Sequence, residues 1–173
     1  MTNKSVKKSV NKSVKKSVKT KKIKQPTHSQ MKEVVTDIFH TYIKYRDGWV
    51  CVQCGAKDKI TAGHVIPKAV GESMRFNDKN TFAQCSPCNY RHSLPTRTYL
   101  YHRWYIAVHG QKAFDELCEQ ANVVTKISTA ELERLFWHYD SELIKLGVNY
   151  AVYADEHPYI KTKLNKYYPK FYH

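Results

Sequence analysis

Acidic side chains are scarce in this chain. Fifteen Asp and Glu stand against 29 Lys and Arg, for a formal net charge of +14. The first 24 residues hold ten Lys and no acid at all, so the remainder carries only +4. A basic excess of this kind favours a polyanionic partner, and DNA, RNA and anionic membrane all qualify on charge alone. Long apolar runs are missing as well. No stretch approaches the roughly 18–20 residues that span a bilayer, and the Lys-rich beginning is not followed by the hydrophobic core of a secretory signal. An intracellular, reducing location is expected. There, paired cysteines read as metal ligands before disulfides.

Cysteine is sparse but concentrated. Four of the five form two CxxC pairs, Cys51 with Cys54 and Cys85 with Cys88. A redox dithiol would show one CxxC in a βαβ setting, which this chain lacks. Two pairs supply the four thiolates that tetrahedral structural Zn²⁺ prefers, and the 30 residues between them suffice to fold back. Cys118, within FDELCEQ, is expected to be a small buried hydrophobe.

The organisation follows from patterning. Residues 4–19 repeat KSVK, KSVN, KSVK, KSVK. Their lysines repel one another and Val and Ser are mediocre helix formers, so residues 1–27 are expected to be a disordered tail. Such a tail either solubilises the chain or contacts a phosphate backbone, and Lys4, Lys7, Lys8, Lys12, Lys15 and Lys16 are the candidate contacts. Met31 to Tyr42 shows the apolar spacing of an amphipathic helix. WVCVQC and KITAGHVI read as two strands of a hairpin, followed by a polar loop over 67–84 and a helix after Cys88 that breaks near Pro95. Leu100, Trp104 and Val108 mark the inner face of the next helix, which stops at Gly110; another covers Lys112 to Gln120. Ser128 and Glu131 form a capping box before the Leu132 to Leu146 stripe, closed by Gly147. Residues 148–173 are a Tyr- and Lys-rich extension that either packs on a helical face or stacks on unpaired bases.

With zinc satisfied by sulfur, His64 in TAGHVIPKAV is left over. Two readings stand from spacing alone: a histidine hydrogen-bonded within the hairpin, or a general base that takes a proton from water attacking a phosphodiester. The second requires charge stabilisation at the leaving oxygen, normally by a divalent ion. Asn89 follows Cys88 directly, so zinc fixes its position, and its oxygen suits Mg²⁺.

CVQC, AGH, RFNDKN and QCSPCN, in that order, resemble the HNH (ββα-metal, or His-Me finger) endonucleases, and within them the lambdoid-phage NinG, or Rap, recombination proteins. The resemblance spans about Cys51 to Leu146. It implies an α+β fold: a small zinc-stabilised ββα-metal core flanked by several helices, forming a nuclease domain over 28–147. It implies a metal-dependent endonuclease acting on branched DNA, with His64 as general base, Asn80 supporting its loop, Asn89 as a Mg²⁺ or Mn²⁺ ligand and the four Cys as a structural zinc set. Gly63 stands where many such enzymes carry an Asp or His that binds the metal. The second ligand then falls to His92, three residues after Asn89, with Asp78 and Glu72 as weaker candidates. Arg75 is a candidate for the scissile phosphate, or else a loop-stabilising ion-pair partner; Lys68 and Arg91 are further DNA contacts. The resemblance places the protein in the cytoplasm of a bacterial host, with DNA, a second copy of the chain and other phage recombination proteins as partners and no membrane. The competing readings are a non-catalytic Cys₄ nucleic-acid-binding module, which Gly63 favours, and an adaptor within a phage complex.

Overall fold

The computed structural model describes residues 25–123 and 126–172. Everything expected of the tail lysines lies outside the described residues; of the expected tail, 1–27, only 25–27 are described, and Thr27 is ordered as the N-cap of the first helix. Thr27 opens helix α1 (His28–Arg46) with a capping box: its hydroxyl accepts from the Gln30 amide, and the Gln30 side chain accepts from the Thr27 amide. The Met31, Val34, Val35, Ile38, Phe39, Tyr42 and Ile43 stripe is buried throughout, as its spacing predicts.

The expected hairpin is not the observed one. Residues 52–54 form a turn, with Gly55 Nα donating to the Cys51 carbonyl at 2.9 Å and Cys51 to Ala56 at 2.8 Å. Strand β1 (Ile60–His64) instead pairs antiparallel with β2 (Thr81–Cys85), in the register Ile60↔Cys85, Ala62↔Ala83 and His64↔Thr81. The TFAQC segment read as polar loop because its polar residues do not alternate with apolar ones. Thr81, Ala83, Gln84 and Cys85 are all buried, so both faces of this strand are covered.

Between the strands lie the single-turn helix α2 (Glu72–Arg75) and a 3₁₀ turn at Asp78–Asn80. Helix α3 (Ser86–Ser93) leaves β2 directly and begins two residues before Cys88, with Pro87 in its first turn, where a missing N–H costs nothing. It ends at Leu94, which Pro95 holds extended.

Helices α4 (Thr98–His109) and α5 (Gln111–Ala121) follow, joined at Gly110, whose φ of 89° suits glycine. The fully buried residues of α4 are Tyr101 and Tyr105; Trp104 packs half-buried against the same core, whereas Val108 is 58% exposed. Tyr101 wins the buried position because its ring stacks on His92 and its hydroxyl donates to the Gly63 carbonyl at 3.2 Å. Cys118 is half-buried against this cluster.

The Ser128–Glu131 capping box forms as read and starts α6 (Thr129–Lys145). Helices α7 (Tyr150–Glu156) and α8 (Pro158–Tyr167) complete the order, with a final 3₁₀ turn at Pro169–Tyr172.

Among the described residues the architecture is helix-rich α+β with one two-stranded sheet. Helix α1 is its central post. One core joins α1 to Leu132, Phe136, Tyr139 and Leu143 of α6 and to Tyr150, Tyr153, Leu164 and Tyr168. Tyr150, Tyr153 and Tyr168 therefore pack rather than stand out, whereas Tyr159 is 69% exposed. A second core joins Val65, Ile66 and Met74 to Tyr101, Tyr105, Leu117 and Ala121. Among the described residues no helix is long and apolar enough to cross a membrane.

Candidate functional site

Asp47 fixes the start of the site. It caps α1, and its carboxylate accepts from Arg46 Nε at 2.8 Å and from the Ala83 amide of β2 at 2.7 Å. Arg46 in turn donates to the carbonyls of Asp78 and Thr81. Helix and sheet are thereby locked together before any functional group is placed.

The four cysteine sulfurs converge beside the sheet. All lie within 4.8 Å of one another and could hold a metal ion such as zinc. Cys54 Sγ and Cys85 Sγ are 3.6 Å apart, close to the edge of about 3.8 Å that a tetrahedron with Zn–S bonds of ~2.3 Å requires. Burial opposes ionisation of Cys51, but the amides of Cys85, Cys54 and Gln53 outweigh it and bring this thiol down to about 7. Burial and neighbouring sulfurs push Cys85 and Cys88 up. Four thiolates in one cluster need a cation among them.

Asn80 is fully buried and clamps the loop after β1. Its Oδ1 accepts from the Ile66 amide at 2.8 Å, and its Nδ2 donates to the carbonyls of Ile66 and Met74 at 2.9 and 3.1 Å. Arg75, next to Met74, presents its carbonyl to His64 Nε2 at 3.0 Å. Nε2 must therefore carry the proton, and Nδ1 is the basic nitrogen. Burial first, then the charges of Lys68 and Arg75, depress His64 below the ordinary imidazole value, opposed by the Arg75 carbonyl. His40 of α1 stands edge-on to it, ring centroids 6.3 Å apart, and burial brings His40 down to about 3.

His64, Lys68, Asn89 and His92 line one cavity of about 320 Å³. The structure thus brings together the leftover histidine, the asparagine after Cys88 and an exposed lysine. It does not bring in the others. Arg75 lines a different cavity with Lys32, Asp37 and Lys163, although its charge still acts on His64. Asp78 lines a third, with Arg46 and Phe82. Glu72 pairs with Lys32 and accepts from the Ile127 amide. Arg91 is exposed on α3 outside the cavity lining. His92 shares the cavity with Asn89, but its Nδ1 takes a hydrogen bond from Gln84 Nε2 at 3.0 Å.

Gln84 was not singled out in the sequence, although it directly precedes Cys85. It is fully buried. Its Nε2 spends both protons, on Gln53 Oε1 at 2.7 Å and on His92 Nδ1. Its Oε1 is buried without a hydrogen-bond partner. A Cβ on Gly63 would lie 1.8 Å from this oxygen and 3.0 Å from Asn89 Oδ1. Gln84 thus occupies the space that a side chain at position 63 would fill.

The model of the Bacteriophage Lambda NinG protein family matches residues 1–147. The chain belongs to the NinG family. No curated protein and no solved structure matches it. The NinG match takes in the cysteine cluster, His64, Asn80, Gln84 and Asn89, and ends two residues past α6.

Proposed function

We propose that this NinG-family protein is a metal-dependent DNA endonuclease of the HNH type that hydrolyses phosphodiesters in branched recombination intermediates. The observation that carries the reading is the orientation of His64. With Nε2 donating to the Arg75 carbonyl, the unprotonated Nδ1 is left to accept a proton, in a cavity shared with Asn89 and Lys68.

In this mechanism His64 Nδ1 takes a proton from a water molecule as that water attacks phosphorus. The bond to the 3′ oxygen breaks and that oxygen takes a proton from solvent, leaving 5′-phosphate and 3′-hydroxyl ends. Lys68, exposed at the cavity, pairs with the DNA backbone. Asn80 holds the loop that carries the Arg75 carbonyl, and so holds the tautomer of His64. Asn89 Oδ1 offers a hard oxygen to Mg²⁺ or Mn²⁺; such an ion, when bound, offsets the charge that develops on the departing oxygen. Zinc on the four cysteines supports the same site, because Cys88 and Asn89 are adjacent on α3.

The test is a cleavage panel of four-way junction, flap and linear duplex with Mg²⁺ or Mn²⁺, run with the parent and His64→Ala. Junction or flap cleavage that His64→Ala abolishes supports the assignment; equal cleavage by both removes it. Gly63, with no side chain to offer a metal, favours a second reading, a Cys₄ module that holds nucleic acid without cutting it. Binding without cleavage of any substrate in the panel, across several divalent ions, supports that reading.

A further inference from the structure

A buried amide oxygen with no partner is costly, and a folded chain keeps one only where something else satisfies it. Gln84 Oε1 is such an oxygen. The Nε2 of the same amide donates to Gln53 Oε1 at 2.7 Å and to His92 Nδ1 at 3.0 Å, which leaves Oε1 pointing at the Gly63 backbone and toward Asn89.

The second oxygen there is Asn89 Oδ1. Both oxygens lie around one point, 1.8 and 3.0 Å from the position of a Gly63 Cβ, so they are less than about 5 Å apart. Two amide oxygens converging from a strand and a helix suit a hard divalent cation, which takes oxygen ligands and keeps several waters. Asn89 also lines the cavity that contains His64. Glycine at 63 is what makes room, since any Cβ would collide with the Gln84 amide.

We infer that Gln84 Oε1 and Asn89 Oδ1 together form a divalent-cation site, with Gln84 supplying from β2 the ligand that Gly63 cannot supply from β1. Gln53 and His92 act as positioning residues that orient the Gln84 amide. The inference rests on the metal-dependent reading above and adds a residue to it.

The test is a Mn²⁺ titration of the full-length, zinc-loaded protein without DNA, read by loss of the free Mn²⁺ electron paramagnetic resonance signal. The expected result is one Mn²⁺ per chain beyond the zinc. Gln84→Met, which removes the oxygen, should weaken binding by tenfold or more, on the order of what a lost ligand costs. Asn89→Ala should do the same, and Gln84→Glu, which keeps the oxygen and adds charge, should tighten binding about tenfold. Affinity unchanged in both Gln84 variants, or no Mn²⁺ bound by the parent, overturns the inference. If Gln84→Met loses zinc or helicity, Gln84→Glu decides alone, and unchanged affinity overturns the proposal. Cleavage measured alongside separates the two claims. Cutting that needs His64 while Mn²⁺ affinity ignores Gln84 sinks only the Gln84 site, whereas Gln84-dependent Mn²⁺ binding with no cleavage of any DNA sinks only the nuclease reading.

Discussion

The Arg75 main-chain carbonyl accepts from His64 Nε2 at 3.0 Å, and this one bond sets which ring nitrogen is basic. A general base held this way should contribute about 10²–10⁴-fold to the rate, so His64→Ala should lose that much cleavage while retaining DNA affinity. The pH dependence follows from burial, which moves His64 below its ordinary value of 6.5. The neutral, basic form then persists to lower pH than for a free imidazole. Cleavage should be flat from pH 6.5 to 8 and fall only on further acidification, measured with zinc content checked at each pH. An acid limb centred above 6.5 would contradict the assignment.

The cysteine cluster makes a separate prediction. Cys85 and Cys88 are pushed up by burial and by neighbouring sulfurs, so the cluster is poorly suited to exist as free thiolates. Native mass spectrometry should find one zinc per chain, and Cys88→Ser should abolish it. Because Cys88 sits in α3 beside Asn89, zinc removal by a strong chelator should also lower the melting temperature. An unchanged melting curve after verified zinc loss would make the cluster dispensable.

Asn80 carries more hydrogen bonds than its size suggests. Asn80→Ala strands the Ile66 amide and two carbonyls, and should cost about 2–4 kcal/mol in urea unfolding. Asn80→Asp is the sharper test. A carboxylate there would face the carbonyls of Ile66 and Met74, which favours its protonated form and raises its value on folding. The folded state then binds the proton more tightly than the unfolded one, so the destabilisation should shrink as pH falls. A loss independent of pH would mean that shape, not donor count, is what matters.

How much of this was legible in the sequence depended on whether the signal was local. The α1 stripe and the Ser128 cap were readable because spacing and capping act within one or two turns. That Asn89 lies near the cysteine cluster was readable from its place directly after Cys88; that it shares a cavity with His64 is set by the pairing of β1 with β2. The TFAQC strand was not readable, since burial of Thr81 and Gln84 on both faces erases alternation. Nor was the choice of Tyr101 over Trp104 as a fully buried residue of α4, which depends on a hydroxyl reaching Gly63 across 38 positions. Gln84 and Asp47 were missed for the same reason: each acts through partners in other elements, Asp47 by receiving the Ala83 amide and Gln84 by meeting His92.

Gly63 should tolerate no side chain. An Ala Cβ would lie 1.8 Å from Gln84 Oε1, so the amide must move and give up its bonds to Gln53 and His92. Gly63→Ala should lose about 1–3 kcal/mol, the cost of stranding such buried groups. The double variant Gly63→Ala with Gln84→Ala removes the collision and should recover part of that loss. Additive losses in a double-mutant cycle would show that the two positions do not share space.

The basic tail is best tested through salt. Each phosphate contact by a lysine contributes about −0.9 to the slope of log affinity against log salt concentration. Residues 1–24 hold ten lysines, and the remainder of the chain carries only +4. If the tail lies on DNA, deleting it should weaken binding in low salt and flatten the slope by several units, with little change left to see in high salt. Tyr150 and Tyr168 offer no substitute contact, because they are buried in the core with α1 and α6. A deletion that lowers affinity equally at every salt concentration would instead assign the tail a role that is not electrostatic, and an unchanged slope with unchanged affinity would take it out of the interface.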